Sequence, residues 1–273
     1  MEVITEMFRA FETLLLAFLL ALPRCYAFIA ASQLLAPTAV PRLARNVAIL
    51  VIAMPMTPAL IPFTPLFSDN ISLFIGYFFK EAALGILMGF LVLWQFWSIQ
   101  SAGTFIDNQR GAAIASSIDP LQGHESSPLG TLFSQAFITY FFAVGGFLML
   151  IDLLYLSYRE WPIINTIPIV LEAFPEMMLE LLDKGMRLMF ILSAPVVAIM
   201  FFAEFALALV SRFAPQIQVF ILAMPIKSGI AMFILVFYIP LMLRYSVEQD
   251  GDLIRIFDRF YEMLRVGAEV ITP

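Results

Sequence analysis

From Leu188 to Leu243 the chain carries three charged residues, Glu204, Arg212 and Lys227. Two apolar runs, 188–210 and 228–243, flank a proline-broken joint from Ser211 to Ser228. A charge at the centre of a bilayer costs about 2.5–3.5 kcal/mol, and each Leu, Ile or Phe returns roughly 0.3–0.6. One charge per span is therefore tolerable, provided it faces protein or water rather than lipid. A stretch of this kind folds as membrane-type helix, and its charges have a task.

The rest of the chain agrees. Apolar residues make up 62% of the sequence and charged residues 13%, so a soluble domain of this size would lack a polar skin. The runs are continuous rather than alternating, which predicts an all-α integral membrane-type protein instead of a barrel. The single cysteine, Cys25, excludes an internal disulfide, and the single histidine, His124, excludes a His-based metal cluster. The 15 Lys and Arg are scattered without a basic stripe, which speaks against nucleic-acid binding. Before the first apolar run, Glu2, Glu6 and Glu12 outweigh Arg9, whereas a secretory leader starts basic. Arg24 beside Cys25 also argues against a lipoprotein cleavage site, so the segment reads as an uncleaved helix.

Several runs follow. The first covers 13–35; the second, 46–67, contains Pro55, Pro58, Pro62 and Pro65 and cannot be one straight helix. Its second half reads as irregular or re-entrant. The third, 71–97, is interrupted by Lys80-Glu81, neighbours about 100° apart on a helix and so not expected to pair face to face. Gly85 and Gly89 form a small-xxx-small pattern that lets another helix approach, as ordinary packing or as a specific contact. After the polar stretch 98–130, the run 131–158 predicts a spanning helix. Glu176 to Lys184 reads as amphipathic and interfacial, followed by spans at 186–212 and 216–243. At the end, Leu253, Ile256, Phe257, Phe260 and Leu264 recur at helical spacing, with charges at i,i+3. The division expected is one membrane domain, 1–246, and an amphipathic C-terminal helix and tail, 247–273. No inverted repeat of the secondary-transporter kind is visible.

Two regions could carry function. In Ala102-Gly-Thr-Phe-Ile-Asp-Asn-Gln-Arg-Gly111, Asp107 and Arg110 are three apart and share a helical face. Small residues follow, from Gly111 to Ser117. This is either a gating or lining element or a solvated loop with a local ion pair. Glu204 and Arg212 are eight apart, about 12 Å along a helix, so each meets something else. Lys227 sits between apolar runs with only Ser228 and Gly229 as polar company. His124 has Glu125 and Ser126 beside it, but triads are assembled across a fold and not from sequence neighbours. No motif supports an enzyme.

The run Glu204-Phe-Ala-Leu-Ala-Leu-Val-Ser-Arg-Phe-Ala-Pro-Gln-Ile-Gln-Val-Phe-Ile-Leu-Ala-Met-Pro-Ile-Lys-Ser228 closely resembles the hallmark of the T-type subunit of the type III secretion export apparatus. That family includes flagellar FliR and the injectisome proteins SctT, YscT and SpaR. Gly103 to Gly111 with Asp119-Pro120 is similar to its second signature, and Gln109-Arg110-Gly111 looks like the virulence branch. The resemblance implies a bacterial inner-membrane protein without enzymatic activity or cofactors, built of bent helical hairpins that extend in part toward the periplasm, with the C-terminus cytoplasmic. Its implied partners are the R-type and S-type gate subunits, the U-type switch protein, inner-rod or needle-base proteins, membrane lipid, and unfolded substrate proteins in transit.

Within that resemblance the T-type subunit supplies a loop that helps plug the closed channel. The matching residues are Phe105, Ile106, Asp107, Gln109, Arg110, Gly111, Ala112, Ala113 and Ile114. Glu204, Arg212, Pro215, Gln216, Phe220, Pro225 and Lys227 are the expected assembly contacts. The rival reading is a proton-coupled small-solute transporter relaying through Glu204, Lys227 and Asp152.

Overall fold

The computed structural model describes residues 2–35, 40–67, 70–111, 127–165, 173–213, 219–248 and 250–271. Every regular element among them is helical: α1 (Glu2–Ser32), α2 (Arg42–Ala53), α3 (Thr57–Leu60), α4 (Ile71–Gln109), α5 (Pro128–Val144), α6 (Gly146–Glu160), α7 (Ala173–Phe213), α8 (Val219–Glu248) and α9 (Asp250–Ile271). Among the described residues five stretches are long and apolar enough to cross a membrane, or six if the pair broken at Gly145 is one span. The all-α membrane-type fold that the continuous apolar runs demand is the one observed.

Helix boundaries differ from the apolar runs in several places, and α1 already begins at Glu2 instead of at 13. The run 131–158 is not one helix: it starts earlier, at Pro128, and breaks at Gly145, whose φ of +92° only glycine adopts cheaply. A Cβ on Gly145 would meet nothing within 4 Å, so the backbone turn, not crowding, requires the glycine. Helix α4 continues through polar residues to Gln109. The segment 176–184 is no separate interfacial helix but the start of the 41-residue α7. The proline-rich segment is not one uniform α-helix, but its second half is neither irregular nor re-entrant. Short α and 3-10 turns follow one another to Leu66, and 42–66 is a single candidate span. The reason is that Pro55, Pro58 and Pro62 each sit in the first turn of a new short helix or 3-10 turn, where a missing N–H costs nothing.

The chain gathers into two compact units. The first draws on Met1–Leu93, Gly145–Met178 and Gly251–Pro273. Gly85 and Gly89 of α4 face α1, where a Cβ on Gly85 would run into the Arg24 carbonyl and one on Gly89 would come within 2.7 Å of the Phe28 carbonyl. The small-xxx-small pattern thus packs α4 backbone against α1 backbone within the same unit. Tyrosine hydroxyls tie the helices by donating to main-chain carbonyls: Tyr158 to Ala21 at 2.8 Å, Tyr155 to Ile52 at 2.9 Å and Tyr261 to Leu153 at 2.7 Å. The apolar stripe of α9 is buried as its periodicity predicts, from Leu253 through Phe257 to Leu264.

At the centre of this unit lies a buried charge cluster. Arg24 donates through Nε to Glu81 Oε2 at 2.6 Å, and through its terminal nitrogens to Ser157 Oγ and the Trp161 carbonyl, both at 3.0 Å. Its guanidinium also lies over the Tyr158 ring, 4.2 Å from the centroid. Lys80 Nζ stands 2.7 Å from the other Glu81 oxygen and donates to the carbonyls of Ile163 and Asn165. Lys80 and Glu81 therefore do pair, contrary to the argument from their helical offset. That offset separates the Cβ atoms, but a third element, the chain after α6, draws the long lysine round while Arg24 fixes the carboxylate.

The second unit draws on Trp94–Val144 and Leu179–Asp250. Phe96 of α4 packs edge-on against Phe137 and Phe141 of α5, at 5.1 and 5.4 Å between ring centroids. Buried Gln95 donates to the Ser246 carbonyl of α8 at 2.8 Å, and Tyr238 of α8 donates to the Leu192 carbonyl of α7 at 2.9 Å. Outward-facing Phe201, Phe202 and Phe205 on α7, and Phe233, Val236 and Phe237 on α8, are each more than half exposed. These helices present an apolar face that lipid or other subunits must cover.

Candidate gate and assembly site

Both candidate regions lie in the second unit. The gate segment is the last turn of α4. Asp107, with 2% of its surface exposed, uses both carboxylate oxygens. Oδ1 accepts from Arg110, 2.7 Å from Nε and 2.6 Å from the terminal nitrogen, the pair that i,i+3 spacing predicts. Oδ2 accepts from the Ser127 hydroxyl at 2.5 Å and the Leu129 amide at 2.8 Å. Ser127 Oγ in turn accepts the Gly130 amide at 2.9 Å, and the Ser127 carbonyl accepts the Thr131 amide at 3.0 Å.

These bonds satisfy the whole first turn of α5. Pro128 at the first helical position has no N–H to satisfy, Asp107 takes the next donor and Ser127 the one after. A carboxylate is also favoured at a helix N-terminus by the aligned peptide dipoles. The sequence reading missed Ser127, Leu129 and Gly130, although Ser-Pro ahead of an apolar run is a helix-start signal.

The other gate residues are arranged round Asp107. Ile106 is fully buried, Gln109 is exposed, and Phe105 meets Phe190 of α7 edge-on at 5.7 Å. Gly111 ends α4 at φ +88°, a left-handed terminus suited to glycine, next to the Met224 side chain of α8. Ala112, Ala113 and Ile114 lie outside the described residues, as does His124.

Of the assembly candidates, Glu204 and Lys227 find each other. Lys227 Nζ donates to Glu204 Oε2 at 3.2 Å between α8 and α7, with side-chain exposures of 13% and 58%. Arg212 is exposed near the end of α7, and among the described residues it has no ion-pair partner. Pro225 is exposed within α8, and Phe220 lies in its first turn. Pro215 and Gln216 lie outside the described residues.

Gate and assembly candidates share one cleft of about 500 Å³, whose lining includes Phe105, Gln109, Phe190, Val197, Glu204 and Lys227. Its walls are mostly apolar, with an ion pair at the edge. The arrangement can pack and bind, and the Ser193 hydroxyl in its lining donates to the Met189 carbonyl of its own helix.

A helical membrane-type chain with this joint has known counterparts. The family described as bacterial export proteins, family 1, matches residues 15–249. The chain belongs to this family. The Yop proteins translocation protein T of Yersinia pestis is 39% identical to this export protein over 239 residues, 85% of this chain and 89% of its own length. The surface presentation of antigens protein SpaR of Salmonella typhimurium is 32% identical over 214 residues, 76% of this chain and 78% of its own. The flagellar biosynthetic protein FliR of Escherichia coli is 25% identical over 225 residues, 80% and 82% of the two chains. This export protein is thus a T-type export-apparatus subunit, and it stands on the injectisome side of the family.

Proposed function

We propose that this chain is a structural, channel-forming subunit of a type III secretion export gate, one that helps unfolded proteins cross the bacterial inner membrane. The observation that carries the reading is the match to secretion-apparatus relatives over more than four-fifths of the chain. It favours the gate over a proton-coupled transporter, for which Glu204, Lys227 and Asp152 would have formed a relay. The exposed apolar faces of α7 and α8 suit a subunit whose neighbours complete its surface.

In this reading the protein is multi-pass in the inner membrane, part of the assembly projects into the periplasm, and the C-terminus is cytoplasmic. It acts without catalysis or cofactor. Its partners are the R-type and S-type subunits, the U-type switch protein, inner-rod or needle-base proteins, lipid and the substrates in transit. Phe105 to Ile114 belong to a plug of the closed channel, and Glu204, Arg212, Pro215, Gln216, Phe220, Pro225 and Lys227 hold the assembly.

Two measurements test it. Copurification from native membranes should recover a large complex with other small membrane proteins; a lone monomer or homodimer would return the transporter. Deleting residues 111–114 should leave assembly intact and make expressing cells permeable to ions or small dyes. Unchanged permeability at equal complex levels would make 105–114 a connecting loop.

A further inference from the structure

Helix α1 is longer than a bilayer is thick. Its 31 residues, Glu2–Ser32, rise about 46 Å at 1.5 Å per residue, against a hydrocarbon core of about 30 Å. Residues 13–32 alone cover about 30 Å, and there the helix turns to the core, with Ala17, Leu20 and Ala21 fully buried. Residues 3–12 are all exposed, so about three turns of helix stand uncovered beyond the packed part.

This extension has two distinct faces. Ile4, Met7, Phe8, Phe11, Leu14 and Leu15 fall within about 120° of the helix circumference. Each is between 45% and 70% exposed. Glu6, Arg9 and Glu12 occupy the other side, with Glu6 and Glu12 toward the two edges of the apolar stripe and Arg9 at the back. Tilting α1 to draw the extension into the bilayer would carry these three charges toward hydrocarbon, which insertion energetics oppose. Leaving it bare in water exposes a contiguous apolar stripe. Lying flat on the headgroups requires a break where the span ends, and α1 runs unbroken from Glu2 to Ser32. Helices that lie on a membrane surface also carry a basic polar face, and this one is acidic.

We propose that residues 3–15 of α1 are a docking stripe for one helix of a different protein, an amphipathic helix whose apolar seam is bordered by Lys or Arg. Ile4, Met7, Phe11 and Leu14 alternate spacings of three and four, the seam along which two helices interlock. The charge pattern chooses the occupant. A second copy of this chain, laid parallel or antiparallel, would set acidic edge against acidic edge, and like charges across an interface repel. A helix with basic edges pairs with both Glu6 and Glu12 instead. Only α1 is involved, so the stripe stands whether or not the chain gates a channel.

The test uses the full chain in its native membrane complex, with a photoreactive side chain as the probe. Phe11→benzoylphenylalanine places it in the stripe, and Arg9→benzoylphenylalanine places it at the back. Position 11 should cross-link to a polypeptide other than this chain, with a yield about tenfold above position 9. Mass spectrometry of the captured peptide should show apolar residues at helical spacing bordered by Lys or Arg. Glu6→Lys with Glu12→Lys should lower the yield about tenfold. Changing the bordering Lys or Arg of the captured peptide to Glu should then restore it, whereas Arg9→Glu should leave it unchanged. All of these positions are exposed, so the variants do not disturb the packed part of α1. A cross-link to a second copy, to lipid alone or to nothing would overturn the proposal, as would a yield indifferent to the charges at 6 and 12. The cross-link is read without secretion or leakage, so its failure is distinct from a failure of the gate reading, which copurification reports.

Discussion

Arg24 and Glu81 stand 57 positions apart in sequence and form a 2.6 Å ion pair in which their side chains are 1% and 0% exposed. The pair joins α1 to α4, and Arg24 extends it to the end of α6 through Ser157 and Trp161. Removing Glu81 leaves Arg24 and Lys80 both buried without their counter-charge, at about 3–5 kcal/mol, whereas removing Arg24 leaves Glu81 still paired with Lys80. Glu81→Ala should therefore lower stability by about that much and Arg24→Ala by less, read by thermal unfolding of the purified complex. The triple change Arg24→Met, Lys80→Met and Glu81→Leu, which removes every charge of the cluster, should lose less than Glu81→Ala alone. An equal or larger loss would mean that shape, and not charge pairing, sets the requirement.

Gly85 and Gly89 should tolerate no side chain of any size. A Cβ at either position meets α1 backbone, which cannot rotate away as a side chain end can. Gly85→Val and Gly89→Val should each destabilise by roughly 1–3 kcal/mol or more and reduce recovery of the complex. Gly76→Ala is the control, because a Cβ there meets nothing within 4 Å and alanine is the better helix former. Equal recovery of all three variants would sink the close-packing argument.

Lys227 and Glu204 should behave as a coupled pair. Lys227→Ala should reduce complex recovery and secretion together, since the exposed Glu204 would be left alone on an apolar face. The exchange Glu204→Lys with Lys227→Glu should recover part of the loss, and a double-mutant cycle should show coupling of about 0.5–3 kcal/mol. If secretion falls while the complex forms normally, Lys227 belongs to conduction and not to assembly.

The isolated chain should be poorly behaved. Phe201, Phe202, Phe205 and Phe213 on α7 are left uncovered, so detergent must do what lipid and neighbouring subunits do in the cell. Co-expression with the R-type and S-type partners should raise yield and resistance to proteolysis. A monodisperse, protease-resistant monomer would count against assembly as the source of its stability.

The sequence by itself determined the class of fold. Runs of 20 or so apolar residues with single charges leave the backbone no option but helix, and that conclusion needs no tertiary information. It also determined the local pairs and faces: Asp107 with Arg110 three residues on, the buried stripe of α9, and the broken course of 55–65. These depend on helical periodicity and proline chemistry, which act over a few residues. Tertiary structure decided what joins distant segments. Arg24 looked only like an obstacle to lipoprotein processing, and Lys80-Glu81 like two charges facing apart. Their meeting depends on α1, α4 and the chain after α6 arriving at one point. Likewise Asp107 reads from sequence as a partner for Arg110 alone, because its bonds to Ser127 and Leu129 span a loop. Glu204 found Lys227 for the same reason, across two helices. Electrostatic pairing in a dry interior is set by distance in space, and sequence spacing reports that distance only within a turn or two of helix.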